Sequence, residues 1–410
     1  MNIAIMGFGV VGSGVAEVFT KNHEMIAEKS LHAPFELKYI LDIRDFPDSP
    51  YADKMIKDFN LILEDETVGI VVETMGGLHP AYEFVSSLLK AGKSVVTSNK
   101  ELVAEKGCEL LATAKENGVN FLFEASVGGG VPIIRPITQC LAANDISEVA
   151  GILNGTTNFI LTKMIRENME LADALKLAQK LGYAEKDPTA DLDGIDASRK
   201  ICILASLCFG KHVSPDSVHT EGIRSITLRD VAYAGNAGMV IKLLGAAKKT
   251  ADGRVLISVS PCLIDQHSQL AGVSDVFNAI LVRGDAIGDV VFYGRGAGKL
   301  PTASAVVADV IDSAKHTERR RIFGWTDSEP GYVADCAAVP GRFYVRGTMT
   351  DGSGAGTATA GMKSVKVLFA ENAPADEAAF LVNAPSETWL RKTLQTVGIA
   401  DPVIMKVTDY

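Results

Sequence analysis

An α/β protein built on a doubly wound parallel sheet, followed by a second α+β domain and a small α+β tail, is the fold this sequence predicts. Three observations carry that expectation. Short β-branched runs alternate with longer helical patterns over residues 1–125, a glycine loop stands directly after the first run, and from about residue 130 the alternation gives way to helical stretches and isolated strands. Strands that alternate with helices imply a parallel sheet covered on both faces.

In order along the chain, "NIAIMG" and "LKYILD" read as the first two strands, "GIVVET" and "KSVVTS" as the next two, and "GVNFLFEA" as the last of the series. "HPAYEFVSSLLKAG" and "KELVAEKGCELLATAKENG" are helices between them. The loop "IAIMGFGVVGSGV" holds Gly7, Gly9 and Gly12 in G-x-G-x-x-G spacing between a strand and a helix. The first glycine permits a tight turn, the second lets the backbone approach a pyrophosphate and the third allows close helix–strand packing, while the helix N-terminus offers free N–H groups. Residues 1–130 are therefore expected to form a Rossmann-type dinucleotide-binding domain, with Phe8, Val10 and Val11 of the same loop beside the cofactor. Asp42, ending the second strand, is placed to hold a ribose 2′-hydroxyl as in NAD; Arg44 is placed to accept the 2′-phosphate of NADP, and the choice between the two stays open. Thr74 marks the exit of the third strand, and Ser98, Asn99 and Lys100 that of the fourth, where ligands of such sheets bind.

The fifth strand runs into "FEASVGGGVPIIRP", whose consecutive glycines expose backbone carbonyls and N–H groups beside Glu124, a loop suited to ligating a cation or clamping substrate. Beyond it, "NFILTKMIRENMELADALKLAQKLG" reads as helical and "RVLISVSPCLI" as a strand of the second domain, residues 131–294. "GRGAGKLPTASAVVADVIDSA" is a glycine-rich turn followed by a helix, and residues from about 295 to 325 are expected to complete the nucleotide-binding domain. The tail, residues 340–410, reads as strands "RFYVRGTM", "SVKVLFAEN" and "AAFLVN", helix "SETWLRKTLQTVG" and strand "PVIMKVTD".

Composition narrows the function. A chain of 410 residues exceeds the size at which one core stops growing, so two or three domains are expected. The net charge of −10 argues against nucleic-acid binding, which needs a basic face, and favours a small-molecule partner. No tract is long and apolar enough to span a bilayer, and Met1 leads straight into an apolar strand without a signal-peptide pattern, so a cytoplasmic location is expected. The six cysteines form no C-x-x-C pair and read as small buried hydrophobes.

The densest chemistry lies in "LGYAEKDPTADLDGIDASRK", residues 181–200. Gly182 reads as the stop of one helix, and Asp191 or Asp193 as the cap of the next. At helical spacing Asp196 and Lys200 share a face that continues into Ile203, Leu204 and Leu207, so a charged pair sits on a stripe that becomes core. Buried charges cost several kcal/mol each unless paired or used.

Six segments together, "GFGVVGSG", "VVTSNKELVA", "FEASVGGGVPIIRPI", "GILNGTTNFILTKM", "GYAEKDPTADLDGIDASRK" and "GAGKLPTASAVVAD", resemble the homoserine dehydrogenase family in content and order, over roughly residues 1–320. The resemblance implies interconversion of L-aspartate 4-semialdehyde and L-homoserine with NAD or NADP, on the route to threonine and methionine. It further implies a nucleotide-binding domain, a substrate domain and a dimerisation region, in a homodimer or homotetramer. By position it makes Lys200 the general acid/base and Lys100 a second lysine at the substrate. Glu185 and Asp196 become acids that hold homoserine, chiefly through its ammonium, with Asp191 as acidic neighbour. Thr74, Gly182 and Gly296 fall near the cofactor, and Glu124 with the carbonyls of Val127, Gly129 and Val131 at a monovalent cation, Na or K. Longer family members end in a ligand-binding ACT domain, whose first strand is typically followed by D-x-P-G and a helix. Here Ser353 replaces that proline and a Gly/Thr-rich segment replaces the helix, which makes the tail a degenerate ACT-like unit. Two rivals remain for comparison: a non-catalytic dinucleotide sensor on the same fold, which has no need of two lysines and several acids, and an acylating semialdehyde dehydrogenase, which requires a nucleophilic cysteine with a base.

Overall fold

The computed structural model describes residues 2–30, 35–317, 320–352, 359, 362 and 364–410. Its first sheet contains β1 (Asn2–Met6), β2 (Glu36–Leu41), β3 (Met55–Ile56), β4 (Val68–Glu73), β5 (Ser94–Thr97) and β6 (Phe121–Leu122), all parallel, in the order β3-β2-β1-β4-β5-β6. Successive side chains of a strand point to opposite faces, so a sheet covered on both sides needs apolar residues at every position. Ile3, Ile5, Ile70, Val72 and Val96 pack on one face, and Ala4, Met6, Val71 and Val95 on the other. The helices of this half are α1 (Val10–Lys21), α2 (His23–Lys29), α3 (Asn60–Leu63), α4 (Ala81–Lys90) and α5 (Lys100–Glu116). Strand order reverses between β1 and β4, which opens a crevice beyond their carboxyl ends.

The sequence reading found every strand of this sheet but β3, whose two residues are too few to show a period. It also made β6 too long, because the chain leaves the sheet at Phe123 and turns through a short 3₁₀ segment, Glu124–Ser126.

The second half continues with β7 (Ile146–Ile152), α6 (Gly155–Glu167), α7 (Leu171–Lys180), α8 (Thr189–Leu192), α9 (Ile195–Phe209), β8 (His219–Thr220), α10 (Leu228–Asn236), β9 (Met239–Lys249), β10 (Val255–Asp265), β11 (Phe277–Gly284) and β12 (Gly288–Arg295). The apolar stretch expected as one helical region is divided between α6 and α7 by Asn168, which takes the left-handed conformation that closes α6. Next, α11 (Lys299–Lys315) returns to the first half and packs on α1, β4 and β5. Then come β13 (Val333–Ala334), β14 (Gly341–Met349), β15 (Val365–Val367), β16 (Glu377–Ala384), α12 (Glu387–Thr396) and β17 (Ile399–Thr408). The segment around Ser353 lies outside the described residues.

The tail does not form a sheet of its own. Its strands, in the order β17-β14-β16-β15, extend a single eleven-stranded sheet through the pairing of β17 with β10. Side chains fasten the same junction. Asp230, fully buried on α10, completes a capping box with Thr227 and accepts hydrogen bonds from Tyr344 Oη at 2.9 Å and from Arg346 Nε at 2.7 Å and Nη2 at 2.9 Å. Tyr410 donates to Glu148 Oε1 at 2.8 Å. Three of the cysteines, Cys202, Cys262 and Cys336, are buried as expected; Cys140 is exposed, and Cys108 and Cys208 are intermediate. Among the described residues, no helix is long and apolar enough to cross a membrane.

Removing one member of a buried charged network costs about 3–5 kcal/mol, because the partners lose solvation without gaining a replacement. Asp230→Ala is therefore expected to lower the thermal midpoint by several degrees. Tyr344→Phe, which deletes one donor, costs about 1 kcal/mol; differential scanning calorimetry of both variants checks the ranking.

Candidate active site

Asp196 and Lys200 stand one turn apart on α9, in line with the sequence period, and both are buried. The helix enters through Gly194 in a left-handed conformation, so neither Asp191 nor Asp193 caps it: Asp191 lies within α8, and Asp193 pairs with Arg224. A salt bridge of 2.7 Å between Arg199 and Glu101 ties α9 to α5. Beside that contact Lys100, the first residue of α5, reaches the Asp196 carboxylate from the half of the chain that carries the first sheet.

One buried acid thus serves two lysines. Asp196 Oδ2 accepts from Lys200 Nζ at 2.7 Å, and Oδ1 makes an ion contact with the Lys100 ammonium. Lys200 also donates to the Leu153 carbonyl at 2.8 Å. Asp196 Oδ1 is buried against the Lys100 ammonium, so both carboxylate oxygens face a lysine.

The three pKa directions follow from this geometry. Burial is the strongest influence on Lys200 and, with the neighbouring Lys100 charge, outweighs Asp196, so its pKa falls below 10.5. The Asp196 charge dominates at half-exposed Lys100 and raises its pKa against desolvation. Burial pushes Asp196 itself upward, but the two ammonium groups together hold it below the usual carboxylate range.

Sequence reasoning missed Asn154, whose motif was noticed but whose side chain gave no sign of its role. From the N-cap of α6 its Nδ2 donates to Asp191 Oδ1 at 2.7 Å and to Asp196 Oδ2 at 2.9 Å. It also missed Glu73, fully buried at the end of β4, whose Oε1 accepts from the backbone of Met75 at 2.7 Å and Gly76 at 3.2 Å. Burial pushes the Glu73 pKa up against its hydrogen bonds from Thr97 and this turn. Lys100, Asn154, Asp191, Asp196 and Lys200 line a cavity of about 380 Å³, together with Gly182 and residues 295–298.

The glycine loop sits at the crevice of the first sheet. Gly12 has no room for a side chain, since a Cβ there would lie 1.9 Å from the Gly7 carbonyl and 2.8 Å from Thr74 Oγ1. Thr74 Oγ1 donates to that carbonyl at 2.8 Å and so braces the loop. At Gly9 a Cβ would meet only Arg44 within 4 Å, and α1 begins there with neither a side-chain cap nor an acidic residue in its first turn. The Phe8 N–H donates to Asp42 at 2.7 Å while its ring packs against Phe46 and Tyr51; Val10 is exposed and Val11 half-buried. Arg44 pairs with Asp42 at 2.9 Å and holds its carboxyl down to about 2.

Other expected site residues lie apart from the cavity. Glu185 is exposed and does not line it, and half-buried Ser98 faces the exit of β4 through its backbone N–H. The Glu124 carboxylate accepts from the N–H groups of Ile133 at 2.6 Å, Ile134 at 2.8 Å and Arg135 at 2.9 Å. No hydrogen bond among the described residues ends on the carbonyls of Val127, Gly129 or Val131. Gly129 has positive φ and packs backbone to backbone on the cavity wall, where a Cβ would lie 2.2 Å from the Gly296 carbonyl. A separate cavity of about 400 Å³ is lined by Arg135, Asp309, Asp312, His316 and Arg321, where Arg135 lies 3.3 Å from Asp309 and Asp312 pairs with His316 and Arg321.

Known proteins share the sequence and the fold of this chain. The family model "Homoserine dehydrogenase, NAD binding domain" matches residues 7–124, and "Homoserine dehydrogenase" matches residues 132–311. A homoserine dehydrogenase of Synechocystis is 45% identical over 320 residues, 76% of this chain and 73% of its own. One from Bacillus subtilis is 40% identical over 321 residues, 77% of this chain and 73% of its own. Among solved structures, a homoserine dehydrogenase from Thiobacillus denitrificans superposes with a TM-score of 0.87 at 33% identity, covering 100% of this chain and 98% of its own. A hyperthermophilic archaeal homoserine dehydrogenase in complex with NADPH gives 0.64 at 31% identity, covering 76% and 97%.

Gly12→Ala forces the loop away from α1, and overpacking of this kind costs about 1–3 kcal/mol. Fluorescence titration with NADPH is expected to show at least a roughly tenfold weaker affinity, equivalent to about 1.4 kcal/mol.

Proposed function

The chain belongs to the homoserine dehydrogenase family, oxidoreductases that act on a CH–OH group with NAD or NADP, and from that premise we propose how its residues divide the work. Lys200 is the general acid and base, Lys100 is the second cation that tunes it, and Asp191 and Asp196 receive the ammonium of L-homoserine. The observation that carries this reading is the single buried carboxylate shared by two lysines at the wall of one cavity.

For homoserine oxidation a neutral Lys200 removes the proton of the substrate hydroxyl, and in the reverse direction its ammonium polarises the aldehyde carbonyl of L-aspartate 4-semialdehyde and returns the proton. Desolvation and Lys100 make the neutral form accessible by lowering the Lys200 pKa. The place of Asp191 and Asp196 on the cavity wall supports their part in substrate binding, whereas exposed Glu185 needs a movement of its loop to contribute. NAD or NADP supplies the acceptor and donor of hydride. Gly7, Gly9 and Gly12 would hold its pyrophosphate on the N-terminus of α1, and Asp42 with Arg44 its adenosine ribose; the uncapped helix and the open space at Gly9 fit that group.

The unclaimed carbonyls of Val127, Gly129 and Val131 suit a monovalent cation. With the Glu124 carboxylate engaged elsewhere, its backbone carbonyl is the group it would contribute. The strand order β17-β14-β16-β15 supports an ACT-like tail. Edge strand β12, with Tyr293 exposed, supports a homodimer or homotetramer, and six unpaired cysteines suit the cytoplasm. The acylating rival is disfavoured because no cysteine lines the cavity.

With L-homoserine and NAD or NADP, Lys200→Ala is expected to lose roughly a thousandfold in kcat, followed by the absorbance of the reduced cofactor. Full activity in that variant, or turnover independent of homoserine, overturns the reading. Because the base must be neutral, oxidation rises with pH through the depressed Lys200 pKa, below 10.5. Asp196 raises that pKa, so Asp196→Asn is expected to move the rising limb to lower pH while KM for homoserine increases.

A further inference from the structure

We propose that Asn154 is a positioning residue for the lysine pair, holding Asp191 and Asp196 in fixed orientation through the two N–H groups of one carboxamide. The proposal rests on the reading of Lys200 as acid and base. Asn154 is buried, and both ends of its side chain are engaged. Its Oδ1 accepts from the Thr157 N–H at 2.9 Å and the Thr157 hydroxyl at 3.0 Å, which fixes the amide so that Nδ2 faces the acids. Nδ2 then donates to Asp191 Oδ1 at 2.7 Å and Asp196 Oδ2 at 2.9 Å, so both hydrogens are used.

Two carboxylates drawn to one donor would otherwise repel each other. The carboxamide supplies a neutral bridge, and it turns Asp196 so that Oδ2 faces Lys200 while Oδ1 faces Lys100. Leu153, whose carbonyl accepts from Lys200, is the preceding residue, so one short stretch between β7 and α6 sets both the lysine and its counter-ion. The charges that face Lys200 are Asp196 on its own helix, Asp191 on α8 and Lys100 on α5, with the Arg199–Glu101 pair beside them.

The same residue also caps α6, and the two roles are separable. Aspartate and serine both cap helices well, yet neither offers an NH₂ group to the acids. Aspartate, in addition, places a third negative charge beside Asp191 and Asp196, which raises the Lys200 pKa.

Asn154→Asp and Asn154→Ser are compared with the unaltered enzyme by calorimetry and by pH profiles of homoserine oxidation. Asn154→Ser is expected to keep the fold with a melting temperature several degrees below the parent, and Asn154→Asp, which adds a buried charge, to melt lower still. Both should show a roughly tenfold or greater loss in kcat/KM. In Asn154→Asp alone, the rising limb should move to higher pH by about one unit. Parental kcat/KM and pH profile in Asn154→Asp would mean that Asn154 is only a cap, and loss of the folded state in both variants would mean that its role is structural; either result overturns the proposal. The Lys200→Ala assay separates the two readings: activity in that variant defeats the assignment of the base, whereas its inactivity beside a parental profile in Asn154→Asp defeats the role of Asn154 alone.

Discussion

The site depends on one buried carboxylate held between two lysines that reach it from different parts of the chain. Asp196 and Lys200 come from α9, whereas Lys100 comes from the first turn of α5 in the nucleotide-binding half. A charge removed from water persists only when paired, and here the pairing also joins the two halves of the molecule. Lys100 stands where the helix dipole disfavours a cation, and the Asp196 charge offsets that cost.

Close backbone approach is the second constraint. The glycine loop near residue 129 meets residues 295–298, and the first glycine loop folds back on itself at Gly7 and Gly12; at each contact a side chain would collide with a carbonyl. Glycines therefore let three chain segments converge on the cavity and the crevice with their backbone groups exposed. The buried side chain of Glu124 holds the chain just after the second glycine loop, and that of Glu73 the turn after β4, by accepting backbone N–H groups.

Much of this was legible in advance. Period and turn residues marked five of the six strands in the first sheet, because strands buried on both faces leave near-continuous apolar runs. Helical spacing singled out Asp196 and Lys200, since residues four apart share a face whatever the tertiary structure. The division at Asn168, the two-residue β3 and the entry of α9 through Gly194 escaped notice, because each is a local geometric event without an apolar period.

By itself the sequence determined the alternation of elements, the glycine spacing and the charged pair on α9, all of which are local in the chain. Tertiary structure alone decided that Lys100 shares Asp196, that Asn154 bridges two acids, that Glu185 stands exposed and that the tail extends the second sheet. These are contacts between residues far apart in sequence or rotamer choices made by packing. Residue spacing carries no record of them: an asparagine that caps a helix reads the same whether or not its amide meets two carboxylates.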